Sequence, residues 1–306
     1  MQDVPDYAPL CAAPDRAPHL PRIPFPRGAC DTHAHVFGPA ARFPYATERI
    51  YTPPDSTWAD YRALLQILGV ERAVLVQPSV YGTDNAAVLA ALAATGPGLR
   101  AVAVVDDDIS AAELERLHGA GVRGLRFNVV DRREARNVVP ADALRAFAQR
   151  IAPLGWHIEL LIKLDQAEAF ATTLADFPVP IVIGHMGYPR HGVRAFMESR
   201  AFEDVLRLLD GGRCWIKLTG PYRISAHALP YDDVDALAQK LTRAAPQRML
   251  WGTDWPHVML KGRMPNDGDL CDLIERWVPD AARRTRILVD NPAELYGFGK
   301  KEKIGN

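Results

Sequence analysis

Eight short apolar segments recur along the chain, and each is followed by a segment with helical spacing. They lie at residues 28–37, 72–79, 99–105, 122–130, 156–162, 180–187, 214–220 and 248–257. Nearly continuous apolar strands indicate burial on both faces, which a parallel sheet requires. Eight strand–helix units in 306 residues predict an α/β fold, a (β/α)8 TIM barrel. An open doubly wound sheet is the alternative, but no GxGxxG or Walker A motif supports it.

The chain outside these units is short. Residues 1–27 contain seven prolines, and proline neither donates to a strand ladder nor continues a helix. This segment is therefore expected to be an extended or mobile lead-in. We predict one barrel domain over residues 28–298 and a solvated tail over residues 299–306.

Composition excludes several classes of protein. The net charge is −1, so no overall field favours nucleic acid or a membrane surface. Four scattered cysteines without a CxxC pair suit free thiols in a reducing compartment. The first residues lack a signal-peptide pattern, and no apolar run reaches the length of a membrane span. We expect a cytoplasmic globular protein without nucleic-acid or membrane partners, and the oligomeric state is left open.

Three of the predicted strands end in side chains that can carry chemistry. The first ends with His33 and His35, the sixth with His185 and the eighth with Asp254. Alternation along a strand points His33 and His35 to the same side. The carboxyl ends of barrel strands meet at one mouth. Each residue alone would more often be structural, but four residues from three strands predict one site.

Three imidazoles and a carboxylate support two routes to the attack of water on an activated carbonyl. The four residues could bind one Zn²⁺ or Mn²⁺ ion, which would polarise the carbonyl and acidify water. Without a metal, Asp254 could take the proton from water while the imidazoles stabilise a developing oxyanion. The residue pattern leaves both routes open.

A second group of side chains at the same end predicts an anionic substrate. Its members are Tyr51, Ser79, Arg126, Arg132 and Arg223. Arginine suits bidentate binding of carboxylates, and Arg126 lies inside an apolar strand, where a solvated position is difficult to arrange. The general excess of 29 arginines over 7 lysines is better explained by codon bias. Three arginines at the catalytic end nevertheless predict a small carboxylated substrate.

The motifs DTHAHVFGP, VIGHMG and WGTDWPH resemble those of the amidohydrolase superfamily, in its amidohydrolase-related branch. The chain is most similar to the 2-pyrone-4,6-dicarboxylate lactonase group, through DTHAHVFGPAARFPY, VLVQPSVYGTDNAA, GVRGLRFN, PVPIVIGHMG and RMLWGTDWPH. The similarity runs from about residue 28 to residue 296. It implies a (β/α)8 barrel that hydrolyses a lactone of a small di- or tricarboxylic acid, pyrone-dicarboxylate-like or muconolactone-like, in aromatic compound catabolism.

The resemblance also implies roles for individual residues. Asp254 would be the general base for water. The lactone carbonyl would be polarised by His33, His35 and His185. Substrate carboxylates would be contacted by Tyr51, Ser79, Arg126, Arg132 and Arg223. The lactonase group works without a metal, so the resemblance implies no required cofactor.

Two departures from the family pattern limit what the resemblance implies. Strands four and five, GLRFN and WHIELLIK, lack the carboxylated Lys or Glu and the His of dinuclear members, which leaves at most one metal. Leu161 stands where the lactonase group has a substrate-contacting Tyr, and Lys163 follows two residues on. The exact lactone stays open. The alternative functions are a metal-dependent decarboxylase, a sugar-acid lactone isomerase and a barrel that binds a carboxylated ligand without turnover.

Overall fold

The computed structural model describes residues 8–130, 141–167, 170–299 and 304–305. Its centre is one parallel sheet of eight strands that pair in chain order. The strands are β1 Cys30–Ala34, β2 Arg72–Val76, β3 Leu99–Ala103, β4 Val122–Asn128, β5 His157–Leu161, β6 Ile181–Ile183, β7 Cys214–Leu218 and β8 Met249–Trp251. Every residue of seven strands is buried, and three residues of β4 are partly buried. The predicted (β/α)8 barrel is confirmed.

Helices surround the strands. They are α1 Trp58–Leu68, α2 Ala86–Thr95, α3 Ala111–Ala120, α4 Ala141–Ile151, α5 Phe170–Leu174, α6 Val193–Met197, α7 Arg200–Asp210, α8 Asp235–Ala244, α9 Asp267–Trp277, α10 Ala281–Thr285 and α11 Asn291–Tyr296. Local sequence sets their ends, as α1 illustrates. Thr57 and Asp60 form a reciprocal capping box at its start, and Gly69 ends it in a left-handed conformation with φ 73°.

The barrel closes where β1 meets the segment after β8. The backbone N–H of Asp254 donates to the His33 carbonyl oxygen over 2.8 Å. The buried Asp31 carboxylate accepts hydrogen bonds from the backbone N–H and the hydroxyl of Thr253, over 3.0 and 2.6 Å. Closure therefore holds the loop that carries Asp254 directly against the strand that carries His33.

The described part of the N-terminal lead-in, residues 8–27, lies on the barrel surface. Arg16 forms a 2.6 Å ion pair with Asp60 of α1, and the ring of Phe25 packs 4.8 Å from the ring of Trp251. Residues 1–7 of the lead-in, and 300–303 and 306 of the predicted tail, lie outside the described residues. Among the helices that are described, none has the length and apolar character needed to cross a bilayer.

Candidate active site

The predicted catalytic residues lie at the carboxyl ends of the barrel strands. His33 belongs to β1, while His35, His185 and Asp254 come shortly after β1, β6 and β8. None of the four is more than 4% exposed. The backbone is left-handed at His185 and Asp254, with φ 49° and 65°. Both residues lie beyond the last strand residues, Ile183 and Trp251, so β6 and β8 are shorter than the sequence predicts.

The four side chains converge on one point. Asp254 Oδ1 lies 3.6 Å from His33 Nε2 and 3.9 Å from His35 Nε2, and Asp254 Oδ2 lies 3.9 Å from His185 Nδ1. Within the described residues, Asp254 Oδ1 and His33 Nε2 have no hydrogen-bond partner although both are buried. Buried polar atoms are costly when unpaired, so these two mark the place where a reacting group would bind.

The other oxygen of Asp254 is held firmly. Oδ2 accepts hydrogen bonds from Arg223 Nε and from the Tyr222 hydroxyl, each over 2.6 Å. The Tyr222 oxygen also lies 3.0 Å from His257 Nδ1, and His257 Nε2 lies 3.2 Å from the fully buried Asp267. Burial would raise the pKa of the Asp254 carboxyl, but the opposing influences, of which the Arg223 guanidinium is the largest, together hold that pKa well below its ordinary value. Asp254 is therefore ionised at neutral pH.

A buried ion pair within the strands supports His33. Lys217 of β7 lies 2.6 Å from Glu159 of β5, and the two are 0% and 1% exposed. The Lys217 ammonium also donates to the Thr32 carbonyl over 2.7 Å and lies 3.2 Å from His33 Nδ1. Sequence reasoning missed both members of this pair. The available signal was a single charged residue inside each of two apolar strands, WHIELLI and CWIKLTG.

Neutral groups hold the other two imidazoles. His35 Nδ1 is 2.7 Å from the Val76 carbonyl oxygen, and His185 Nδ1 is 2.9 Å from the Thr219 hydroxyl. Burial lowers the pKa of His35 to about 3 and that of His185 to about 4. Both rings are therefore neutral at physiological pH.

Four of the five predicted substrate-contact residues line the cavity above these side chains. They are Tyr51, Ser79, Arg126 and Arg223. The fifth, Arg132, lies outside the described residues. Arg126 projects from β4 and donates to the Gln77 carbonyl over 3.0 Å. Leu161 also lines the cavity, and Lys163 comes two residues later, before the turn Leu164–Gln166. The cavity therefore has two guanidinium groups and an apolar wall.

Sequence reasoning missed three further cavity residues, Tyr188, Val258 and Met259. They follow His185 and Asp254 by only a few positions, and Tyr188 and Met259 have left-handed backbones with φ 47° and 58°. Such turns normally contain glycine or asparagine. No sequence signal therefore marks the tight turns that bring these side chains to the cavity.

The site meets the requirements of a divalent metal only in part. His33, His35 and Asp254 each offer a ligand atom within 4.8 Å of the others. His35 has the arrangement usual for a ligand, because its rear nitrogen faces a backbone carbonyl. The rear nitrogen of His33 faces a donor and an acceptor, because the Lys217 ammonium and Glu159 Oε1 each lie 3.2 Å from Nδ1. The donor set therefore fits an ion at His35 and Asp254, and at His33 only when Glu159 rather than Lys217 is the partner of Nδ1.

Fold and site together define a (β/α)8-barrel enzyme with histidines and an aspartate gathered at the strand ends. Comparison with known families agrees with this class. The family model described as Amidohydrolase matches residues 30–298, and the chain belongs to that family.

Three similar proteins indicate the branch of the family. A 2-pyrone-4,6-dicarboxylate hydrolase from Comamonas testosteroni is 41% identical over 288 residues, covering 91% of this chain and 93% of that protein. A 4-sulfomuconolactone hydrolase from Rhizobium radiobacter is 40% identical over 292 residues, covering 94% and 96%. The crystal structure of a probable 2-pyrone-4,6-dicarboxylic acid hydrolase from Acinetobacter baumannii, with citric acid bound, matches with a TM-score of 0.75 and 28% identity over 89% and 100%. The expected resemblance to this lactonase group is confirmed.

Proposed function

We propose that this protein hydrolyses the lactone of a small di- or tricarboxylic acid by attack of water on the ester carbonyl. One observation carries the proposal. An ionised, buried Asp254 keeps one oxygen unpaired, 3.6 Å from His33 Nε2, beside a cavity lined by two arginines. The relatives' names describe hydrolases of a pyrone dicarboxylate and a sulfonated lactone, and the solved relative holds a tricarboxylate.

The chemistry follows from the positions of these groups. The lactone carbonyl oxygen accepts a hydrogen bond from imidazole, and Asp254 Oδ1 takes a proton from water as the water oxygen bonds to the carbonyl carbon. The Nε2–H of His33 stabilises the resulting oxyanion. When this intermediate collapses, the bond from the carbonyl carbon to the ring oxygen breaks. The ring oxygen leaves with the proton from Asp254, and the product is the ring-opened acid.

Guanidinium groups bind the substrate carboxylates. We assign this role to Arg126 and Arg223, with Arg132 as a third member, because arginine matches carboxylate geometry with two hydrogen bonds. The hydroxyls of Tyr51 and Ser79 complete the polar lining. Arg223 also holds Asp254, so it links substrate charge to the general base.

We propose that no metal is required, because a hydrogen bond from the Lys217 ammonium to His33 Nδ1 leaves the ring proton on Nε2, the nitrogen that would have to bind the ion. One Zn²⁺ or Mn²⁺ ion on His33, His35, His185 and Asp254 is the alternative. Dialysis against a chelator should leave kcat/KM unchanged, with metal content measured by elemental analysis. Activity that disappears on dialysis and returns with Zn²⁺ or Mn²⁺ would support the alternative.

A lactone panel tests the proposed function. 2-Pyrone-4,6-dicarboxylate and 4-sulfomuconolactone are compared with an uncharged lactone of similar ring size, and acid release is followed with a pH indicator. We expect turnover of an anionic lactone and little turnover of the uncharged control. Asp254→Asn should lower kcat/KM about 10²–10⁴-fold, with an unchanged circular dichroism spectrum. The proposal is wrong if no anionic lactone is opened or if Asp254→Asn retains full activity.

A further inference from the structure

We infer that Lys217 is a positioning residue that determines which ring nitrogen of His33 carries the proton. His33 then presents an N–H to the substrate, while its neighbour His35 presents a lone pair. The catalytic meaning of this assignment rests on the proposed function, but the assignment itself depends only on hydrogen-bond partners.

The partners of Lys217 account for all of its hydrogens. An ammonium group has three hydrogens and no acceptor. Its three neighbours are Glu159 Oε2 at 2.6 Å, the Thr32 carbonyl oxygen at 2.7 Å and His33 Nδ1 at 3.2 Å. His33 Nδ1 must accept the third hydrogen. A neutral His33 ring therefore carries its own proton on Nε2, the nitrogen that faces Asp254 Oδ1.

Glu159 is the competing partner of the same nitrogen. Its Oε1 lies 3.2 Å from His33 Nδ1, and a carboxylate there favours a proton on Nδ1. Only the Lys217 contact also has hydrogen-bond geometry. Lys217 and Glu159 thus favour opposite tautomers of His33, and Lys217 prevails while it is present.

His35 has the reverse arrangement. Its Nδ1 lies 2.7 Å from the Val76 carbonyl oxygen, which can only accept, so Nδ1 carries the proton and Nε2 has the lone pair. The Nε2 atoms of His33 and His35 lie 3.6 and 3.9 Å from the same oxygen of Asp254. One strand end therefore offers a donor for the lactone carbonyl beside an acceptor for the attacking water.

Nuclear magnetic resonance of ¹⁵N-histidine-labelled protein tests the assignment directly. Long-range ¹H–¹⁵N correlation at neutral pH shows which ring nitrogen carries the proton, and the signals are assigned by their loss in His33→Gln and His35→Gln. We expect protonated Nε2 in His33 and protonated Nδ1 in His35. A wild-type His33 that is protonated on Nδ1 overturns the inference.

Three variants distinguish the effect of Lys217 on the His33 tautomer from the effects of its neighbours. Lys217→Met leaves Glu159 as the partner, so the His33 proton should move to Nδ1. The kcat should then fall about 10²–10³-fold with KM nearly unchanged, as expected for a donor that acts mainly in the transition state. Glu159→Gln keeps the ammonium and should keep the wild-type tautomer. Lys240→Met, on the exposed surface of α8, is the matched lysine control and should change neither readout.

A double variant covers the case in which Lys217→Met does not fold. Lys217→Met/Glu159→Leu removes both partners together, so His33 should populate both tautomers and kcat should fall. A double variant with wild-type kcat and a pure Nε2 tautomer overturns the inference. If the wild type opens no lactone while His33 is protonated on Nε2, the proposed function fails and the tautomer assignment stands.

Discussion

Two buried ion pairs of the same length in this barrel differ in how completely their polar atoms are hydrogen-bonded. The strand pair consists of Glu159 on β5 and Lys217 on β7, and the loop pair consists of Arg223 and Asp254, which follow β7 and β8. The charged atoms are 2.6 Å apart in each pair. In the strand pair, every hydrogen of the ammonium has an acceptor. In the loop pair, Asp254 Oδ1 has no partner within the described residues. The strand pair is fully hydrogen-bonded, whereas the loop pair keeps one carboxylate oxygen free for the proposed reaction.

The difference has an energetic side. Leaving a buried polar atom unpaired costs about 1–3 kcal/mol, and this occurs at Asp254 Oδ1 of the loop pair and at the His33 Nε2 atom that faces it. A bound lactone and water would satisfy both atoms. Substrate binding should therefore stabilise the loop region, whereas the strand pair is already satisfied without a ligand.

Removal of one partner from the strand pair should have the largest effect. Lys217→Met should lower the free energy of unfolding by about 3–5 kcal/mol, because it leaves the Glu159 carboxylate buried and unpaired. Lys217→Met/Glu159→Leu should recover most of that loss. Urea unfolding followed by circular dichroism measures both. Equal losses in the single and double variants would show that the pair contributes through packing rather than charge.

A fall in pH should lower the free energy of unfolding, because the buried imidazoles of both regions resist protonation in the folded state. Burial lowers the pKa of His35 to about 3 and those of His185 and His157 to about 4, against 6.5 for a free ring. The unfolded chain therefore binds protons first, and stability falls as pH drops from about 6.5 towards 4. From pH 7 to 5 each ring should cost about 1–2 kcal/mol. Asp31, whose pKa burial raises to about 6, offsets part of this loss.

Urea unfolding at pH 7 and pH 5 measures this effect. His157→Gln removes the imidazole at the start of β5, away from the mouth, so it should reduce the pH-dependent loss by about the 1–2 kcal/mol of one ring. A wild-type stability that is constant or higher at pH 5 would contradict the sign of these shifts.

The loop pair should respond chiefly in activity. Arg223→Gln removes the guanidinium that holds down the pKa of Asp254, so the acid limb of kcat/KM should move to higher pH. At pH 7, kcat/KM should fall about 100-fold, which corresponds to about 2.7 kcal/mol. The exposed Arg194→Gln is the matched control. An Arg223→Gln enzyme with a lower kcat/KM but an unshifted acid limb would limit Arg223 to substrate binding.

The smallest effect is expected at Tyr222. Tyr222→Phe keeps the ring and removes one hydrogen bond to Asp254 Oδ2, so kcat should fall about five- to tenfold. The free energy of unfolding should barely change, because Arg223 still holds the same oxygen. Steady-state kinetics with the substrate found in the lactone panel measures it. A loss as large as that of Arg223→Gln would place Tyr222 in contact with the reacting atoms.

The sequence allowed the fold and the outer layer of the site to be predicted for a simple reason. Apolar strands show where the sheet lies, and polar residues at their ends stand out against that background. Glu159 and Lys217 could not be paired in this way, because they lie on β5 and β7 with β6 between them. Their contact crosses the interior of the closed barrel, and no sequence spacing encodes that distance. The role of Arg132 stays a prediction.

The loop geometry was also beyond sequence reasoning. His185 and Asp254 adopt left-handed backbones, which are uncommon for any residue other than glycine. Only the surrounding hydrogen bonds make these conformations tolerable, and such bonds form after the strands are in place. The predicted strands, among them β6 and β8, therefore ran on into the turns that build the site, while the polar residues could still be identified from the sequence.

The hydrogen bonds that close the barrel determine when, during synthesis and folding, the site is assembled. His33 and Asp254 are separated by more than two hundred residues, yet the backbone of one is bonded to the backbone of the other. A ribosome-bound chain that lacks its last strand has no Asp254 beside His33. With Asp254 as the proposed general base, turnover begins only when the two ends of the barrel have joined, and an activity assay also reports how many molecules have completed folding.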